Sequence, residues 1–186
     1  MSQPVLEIFK KTGALLEGHF LLTSGLHSPH YWEKFSVLQY PKYTEQLCSL
    51  IAKHYKKEGV QLVAGPTTGG VILAYATAKH LGVRSIFAEK EGNKRIFRRG
   101  FQIKPQERVL VVDDILTTGG SILEVIDAVK QLGGNVIGAG VLVDRSDNSI
   151  DLGVPLFSCL KSETQTYRPE ECPLCAEGVP LIRPGG

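Results

Sequence analysis

The chain has 186 residues, of which 42% are hydrophobic and 22% charged, a composition that suits one compact α/β domain. Its 21 basic and 19 acidic residues are mixed along the chain, so no nucleic-acid surface is announced. The longest apolar runs are far too short to span a bilayer, and the opening M-S-Q-P-V-L-E-I-F lacks the shape of a signal peptide, so a cytoplasmic protein is expected.

Residues 4–11 predict a short helix with Leu6 and Phe9 facing the body. Gly18 and Gly25 punctuate the stretch A-L-L-E-G-H-F-L-L-T-S-G like turns around a short strand, and L-H-S-P-H-Y-W follows. Tyr43, Leu47, Leu50, Ile51 and His54 share one helical face, opened by Pro41 and closed by Gly59. His54 reads as a boundary residue rather than a ligand, and His80 as the same. Residues 61–64 read as a buried strand that runs into Gly65-Pro66-Thr67-Thr68-Gly69-Gly70 and then a helical run over 71–81. Gly65 and Gly70 have the outer spacing of a P-loop, but Val71 stands where the lysine must be.

Residues 84–88 give a third strand. Then comes E-K-E-G-N-K-R-I-F-R-R-G-F, residues 89–101, which holds Lys90, Lys94, Arg95, Arg98 and Arg99. Such a run is either a solvated face or, hinged at Gly92 and Gly100, a mobile loop that meets an anionic ligand.

The most informative stretch is residues 109–121, V-L-V-V-D-D-I-L-T-T-G-G-S. Val109 to Val112 read as a buried parallel strand. Asp113 and Asp114 follow where that strand is expected to reach its carboxyl end. Ile115 and Leu116 lead into a small-residue turn of Thr117, Thr118, Gly119, Gly120 and Ser121, after which Ile122, Val125, Ile126, Val129 and Leu132 recur at helical spacing. Strand, acidic pair, small-residue loop and helix together place backbone N–H groups and hydroxyls where a phosphate is well received. The plainer alternative is a βα turn with a solvated acidic rim. Gly133-Gly134 then caps the helix, and residues 136–143 form a fourth strand running into Asp144-Arg145. Gly138 and Gly140 begin a dinucleotide fingerprint whose third glycine is missing. Arg145 either pairs at the surface with Asp144 or Asp147, or offers its guanidinium fork to a ligand at the strand's carboxyl end.

Residues 154–160 can make a last strand, and from Lys161 onward prolines and glycines argue for a loop-rich tail. Of the four cysteines, Cys48 and Cys159 sit among apolar neighbours and read as small core hydrophobes. Cys172-Pro173-Leu174-Cys175 is a lone C-x-x-C with no second pair at zinc-ligand spacing after it, so it reads as tail packing before metal or redox chemistry.

The 109–121 stretch resembles the phosphoribosyl-diphosphate (PRPP) signature of the type I phosphoribosyltransferases. F-L-L-T-S-G-L-H-S-P-H-Y-W and the D-R after strand four are similar to segments of the orotate phosphoribosyltransferases in particular. The resemblance covers roughly residues 13–147. It implies an α/β fold, a mostly parallel central sheet flanked by helices with a small N-terminal hood. The whole of 1–186 would be a single phosphoribosyltransferase domain, with 13–40 contributing the hood and 161–186 a loop-rich tail. It implies transfer of the 5-phosphoribosyl group from PRPP to orotate, giving orotidine 5′-phosphate and diphosphate in pyrimidine biosynthesis, with Mg²⁺ bound mainly through PRPP and partly by Asp113 or Asp114.

By the same resemblance Asp113, Asp114, Ile115, Leu116, Thr117, Thr118, Gly119, Gly120 and Ser121 hold the ribose phosphate, and Thr68, Gly69 and Lys90 the diphosphate. Thr117, Arg145, Tyr31 and Trp32 hold orotate. Asp113, Asp114, Lys90 and Lys94 carry catalysis, with Arg95 the next candidate cation. The 89–101 segment is similar to the flexible loop that, in this family, reaches the neighbouring subunit's site in a homodimer. Two positions depart from the family: Thr23 and Gly69 stand where many relatives carry lysine. Three alternatives stay open: a transferase for another nucleobase, a PRPP-binding sensor, and a metal or redox role through the C-x-x-C.

Overall fold

The computed structural model describes residues 3–22, 24–33, 35–92, 94–146, 150–162 and 165–184. Thr23 and Asp147 lie outside the described residues. The elements are α1 (Gln3–Lys11), β1 (Leu15–Leu21), β2 (His27–Trp32), α2 (Phe35–Leu38), α3 (Pro41–Tyr55), β3 (Leu62–Pro66), α4 (Gly69–Leu81), β4 (Arg84–Glu91), β5 (Lys94–Phe97), β6 (Arg108–Leu116), α5 (Gly120–Gln131), β7 (Asn135–Asp144) and β8 (Leu156–Lys161). A single 3-10 turn (Pro169–Glu171) and a short α6 (Pro173–Ala176) follow.

One six-stranded sheet runs in the order β5-β4-β3-β6-β7-β8, parallel throughout except for β5 at one edge. The expected mostly parallel sheet is present. Its central strands are buried on both faces, which is why they read as unbroken apolar runs. Alternate residues divide between two cores. Val63, Leu110, Val112 and Leu142 face α3 and α4, while Leu62, Ala64, Val109 and Val111 face Ile122, Val125, Ile126 and Val129 of α5. The expected hood is a separate antiparallel hairpin of β1 and β2, with a register shift between Glu17 and Phe20.

The two glycines of β7 that suggested a dinucleotide fingerprint serve packing instead. A Cβ at Gly138 would collide with the Tyr55 ring, and one at Gly140 with Ile51, so their absence lets α3 lie close on the sheet. The Tyr55 hydroxyl lies 2.9 Å from the Ala139 carbonyl and 3.0 Å from that of Pro155, and burial pushes its pKa up to about 12. Tyr55→Phe would leave these buried acceptors short of a donor. The expected cost is about 1–3 kcal/mol, read as a lower urea midpoint at unchanged slope.

The α3 face differs slightly from the sequence expectation. Thr44, Leu47, Cys48, Ile51, Ala52 and Tyr55 are buried, whereas Leu50 is exposed. The small Cys48 and the hydrogen-bonded Tyr55 turn the buried stripe by one residue. Cys48 and Cys159 are core thiols as expected, pushed by burial to about 11 and about 12. His54 stacks on Phe157 at a centroid distance of 4.5 Å.

Candidate active site

β3 pairs with β6 only as far as Ala64↔Val111, whereas β6 continues beside β7 to Leu116↔Asp144. The chain leaves β3 through α4 toward one edge of the sheet, and leaves β6 through α5 toward the other. The two strands therefore part at their carboxyl ends, at the topological switch point where open α/β sheets bind ligands.

Asp113 and Asp114 lie inside β6 rather than beyond its end, because β7 keeps pairing with the strand through Asp113↔Val141 and Ile115↔Val143. Strand alternation sends the two carboxylates to opposite faces. Asp113 continues the Val109–Val111 row and lines the pocket of the 117–121 loop. Asp114 continues the Leu110–Val112 row and abuts α4: a Cβ on Gly69 would collide with Asp114 Oδ2. Both residues are buried, Asp113 at 7% exposure and Asp114 at 3%. Asp113 Oδ1 accepts the Asp114 N–H at 2.8 Å, and Asp114 Oδ1 accepts the Ile115 N–H at 2.7 Å.

Each carboxylate faces a helix N-terminus that no side chain caps. In α5 the N-cap is Gly119, held at φ +78°, which a side chain rarely adopts; a Cβ there would also press on Ile150. The first turn of such a helix has N–H groups without intrahelical partners, and its dipole favours an anion. Asp113, Thr117, Thr118, Gly120 and Ser121 line the open pocket at this end. In α4 the N-cap is Thr68, and the Thr67–Thr68 peptide is cis. The cis peptide immediately precedes Gly69 and Gly70. Those glycines allow close approach: a Cβ on Gly69 would collide with Asp114 Oδ2 and one on Gly70 with the Pro66 ring.

The basic segment is built as a hairpin. β4 and β5 pair antiparallel with Lys90 opposite Arg95 and Glu91 opposite Lys94. Interleaved acids hold it: Arg98 pairs with Glu91, and Arg99 with Glu89 at 2.7 Å. Arg95 is turned inward. Its Nη1 donates to the Thr67 carbonyl at 3.2 Å, and its Nε faces Glu124 of α5 at 3.4 Å. It clasps the α4 entry loop, a role that sequence reasoning missed because both partners are distant in sequence. Lys90 and Lys94 are exposed and, among the described residues, outside every ion pair.

At the end of β7 the Arg145 N–H donates to the Leu116 carbonyl at 2.8 Å, which ties it to the end of β6. Asp144 is taken up by the next turn, accepting from Ser146 N at 2.9 Å and Ser146 Oγ at 2.6 Å. The Arg145 guanidinium is half-buried. Burial lowers its pKa from the usual value, and the nearby Tyr31 works the other way. Tyr31 of the hood, in contact with Phe20 at 5.8 Å, thus approaches Arg145. Trp32 does not. Neighbouring strand residues face opposite ways, and Trp32 is 6% exposed, edge-on to Phe9 at 5.2 Å, in the core with Val37 and Leu142.

Two uncapped helix N-termini flanking two buried carboxylates at a switch point define an α/β protein built for a ligand that carries phosphates and hydroxyls. The family model for the phosphoribosyl transferase domain matches residues 36–168. The chain is 52% identical over 183 residues to the orotate phosphoribosyltransferase of Caldanaerobacter subterraneus subsp. tengcongensis, covering 98% of this chain and 96% of that protein. It is 50% identical to that of Desulforamulus reducens, with the same coverage. Among solved structures, the orotate phosphoribosyltransferase of Aeropyrum pernix superposes with a TM-score of 0.66 at 29% identity, covering 84% of this chain and 93% of that one. The chain belongs to the phosphoribosyltransferase family, and within it to the orotate phosphoribosyltransferases.

Proposed function

We infer that this chain transfers the 5-phosphoribosyl group of PRPP to orotate, forming orotidine 5′-phosphate and diphosphate in pyrimidine biosynthesis. The observation that carries this reading is the placing of Asp113 and Asp114 between two uncapped helix N-termini, with Arg145 at the next strand end. The α5 entry, with Thr117, Thr118, Gly119, Gly120 and Ser121, takes the 5′-phosphate. The α4 entry, with Thr68 and Gly69, takes the diphosphate through backbone N–H groups and hydroxyls. Asp113 and Asp114 hold the ribose hydroxyls from either face and offset the positive charge that develops on the sugar as the glycosidic bond exchanges. Arg145 pairs with the orotate carboxylate, with Thr117 and Tyr31 beside it. Trp32 supports this wall from the core rather than touching the base.

Lys90 and Lys94 meet the charge on the leaving diphosphate. Their support is that Arg95, Arg98 and Arg99 are already engaged with Glu124, Glu91 and Glu89. Phosphoribosyltransferases generally use Mg²⁺, and the residues here fit it. Asp113 or Asp114 offers a hard oxygen ligand from its own face of the sheet, and a cation with so few protein ligands keeps its waters and leans on substrate phosphates. When bound, it supplies charge neutralisation at the diphosphate oxygens.

The chain acts as one domain in this reading, and as a homodimer in which the 89–101 hairpin serves the neighbouring site. Ile72 and Tyr75, exposed on α4, support self-association. Among the described residues no helix is long and apolar enough to cross a membrane, and four unpaired cysteines support a cytoplasmic setting.

An absorbance assay with PRPP and Mg²⁺, offering orotate, uracil, hypoxanthine and adenine in turn, is expected to show turnover with orotate alone. Turnover with another base would discard the Arg145 site. PRPP binding without turnover on any base would favour a sensor.

A further inference from the structure

The tail from 165 to 184 is tied to the hood although it has almost no core of its own. Among its residues only Cys172 is buried. Two isolated bridges join it to the hairpin, His27↔Tyr167 and Phe20↔Ile182. At their centre four side chains converge: His19 of β1, His27 of β2, and Cys172 and Cys175 of the C-x-x-C. One ligand atom from each lies within 4.8 Å of all the others. His19 Nε2 is 2.9 Å from His27 Nδ1, 3.5 Å from Cys172 Sγ and 3.7 Å from Cys175 Sγ, and His27 Nδ1 is 3.3 Å from Cys175 Sγ.

We propose that His19, His27, Cys172 and Cys175 form a structural zinc site that fastens the C-terminal tail to the hood. A tetrahedron built on Zn–S bonds of about 2.3 Å and Zn–N bonds of about 2.05 Å has edges of roughly 3.3–3.8 Å. The separations of 3.3, 3.5 and 3.7 Å match it; the imidazole pair at 2.9 Å has to open slightly, and the widest pair, within 4.8 Å, to close. Two thiolates and two imidazoles are the donor set for Zn²⁺ rather than for Mg²⁺ or Ca²⁺. The other nitrogen of His19, Nδ1, lies 2.8 Å from the Val179 carbonyl. It must donate there, which leaves the Nε2 lone pair aimed at the other three ligands, the outer-shell arrangement typical of metal-bound histidine.

His19, His27 and Cys172 are buried. Four protein ligands close the coordination sphere and leave no position for a substrate, so the site is structural. All four residues fall outside the 36–168 segment matched by the family model, so the site is separate from the phosphoribosyl machinery. It bears on that machinery through β2, which carries His27 and, four residues on, Tyr31 beside Arg145.

The sequence hid this site because its two halves are more than a hundred residues apart, and the histidine pair precedes the cysteine pair. C-x-x-C alone carries no metal argument, and His19 and His27 stand out only once the hairpin puts them side by side.

The test is the zinc content of the full-length chain, purified under reducing conditions and desalted, by elemental analysis. About one zinc per chain is expected, with an X-ray absorption edge fitted by two sulfur and two nitrogen ligands. Cys175→Ser is the first variant, because Cys175 is exposed and its replacement leaves the packing intact. Its zinc affinity should fall by more than the roughly 10–100-fold that loss of an outer-shell partner costs. Stripping zinc with a chelator should speed amide exchange at Tyr167 and Ile182 and leave β6 unchanged. Two outcomes would overturn the proposal: no zinc above the level of a Cys172→Ser/Cys175→Ser double variant after Zn²⁺ is added to the reduced chain, or zinc that the double variant retains in full. Exchange in the tail that is indifferent to the chelator would overturn the fastening role.

Discussion

Replacing Arg145 with alanine is expected to weaken orotate binding by about 2–5 kcal/mol, roughly thirty- to several-thousand-fold, while PRPP binding stays nearly unchanged. The selectivity follows from position. Arg145 is held at the end of β7 by its N–H to the Leu116 carbonyl, one strand over from the carboxylates. Its guanidinium is already partly stripped of water, so a carboxylate that pairs with it forms the pair in a medium of low dielectric. Asp144, its chain neighbour, is occupied by Ser146. Arg145→Lys should recover only part of the loss, because an ammonium keeps the charge and loses the planar fork. Calorimetric titration of each ligand separately is the measurement. Equal weakening of both ligands would remove Arg145 from the base site.

Asp113→Asn and Asp114→Asn are each expected to lower kcat by about 10²–10³-fold with little change in melting temperature. The amide keeps an oxygen for the N–H that each carboxylate now accepts, so the strand retains its hydrogen bonds. What is lost is the negative charge facing a sugar that becomes positive in the transition state. The two variants should differ in their ligands. Asp113 shares its pocket with the 117–121 loop, so its loss should disturb the half of PRPP that carries the 5′-phosphate. Asp114 lies against Gly69 at the α4 entry, so its loss should disturb diphosphate. Inhibition by ribose 5-phosphate and by diphosphate reads the difference. A variant that unfolds would instead mark the acids as structural.

Much of the fold was legible because central parallel strands and amphipathic helices carry strong periodic signals. The strands expected at 61–64, 84–88, 109–112, 136–143 and 154–160 are β3, β4, β6, β7 and β8, each shifted or lengthened by a few residues. β5 was not legible. Lys94 to Phe97 look like part of a charge run, and only cross-strand pairing with β4 and the acids Glu89 and Glu91 makes them a strand. Trp32 was misplaced for a related reason. Tyr31 and Trp32 are adjacent aromatics of equal appeal as ligands, and which one faces the cleft depends on strand phase alone.

By itself, the sequence determined the phosphoribosyl signature, the parallel sheet and the likeness to orotate phosphoribosyltransferases, because those are written in contiguous residues whose spacing is local chemistry. Only the tertiary structure decided that Asp113 and Asp114 face opposite sides of the sheet, that Arg95 clasps Thr67 while Lys90 and Lys94 stay exposed, and that His19 and His27 meet Cys172 and Cys175. Each of those depends on contacts between segments far apart in the chain. Such contacts are set by pairing register and by which face of an element is buried, and neither is encoded in any one stretch of residues.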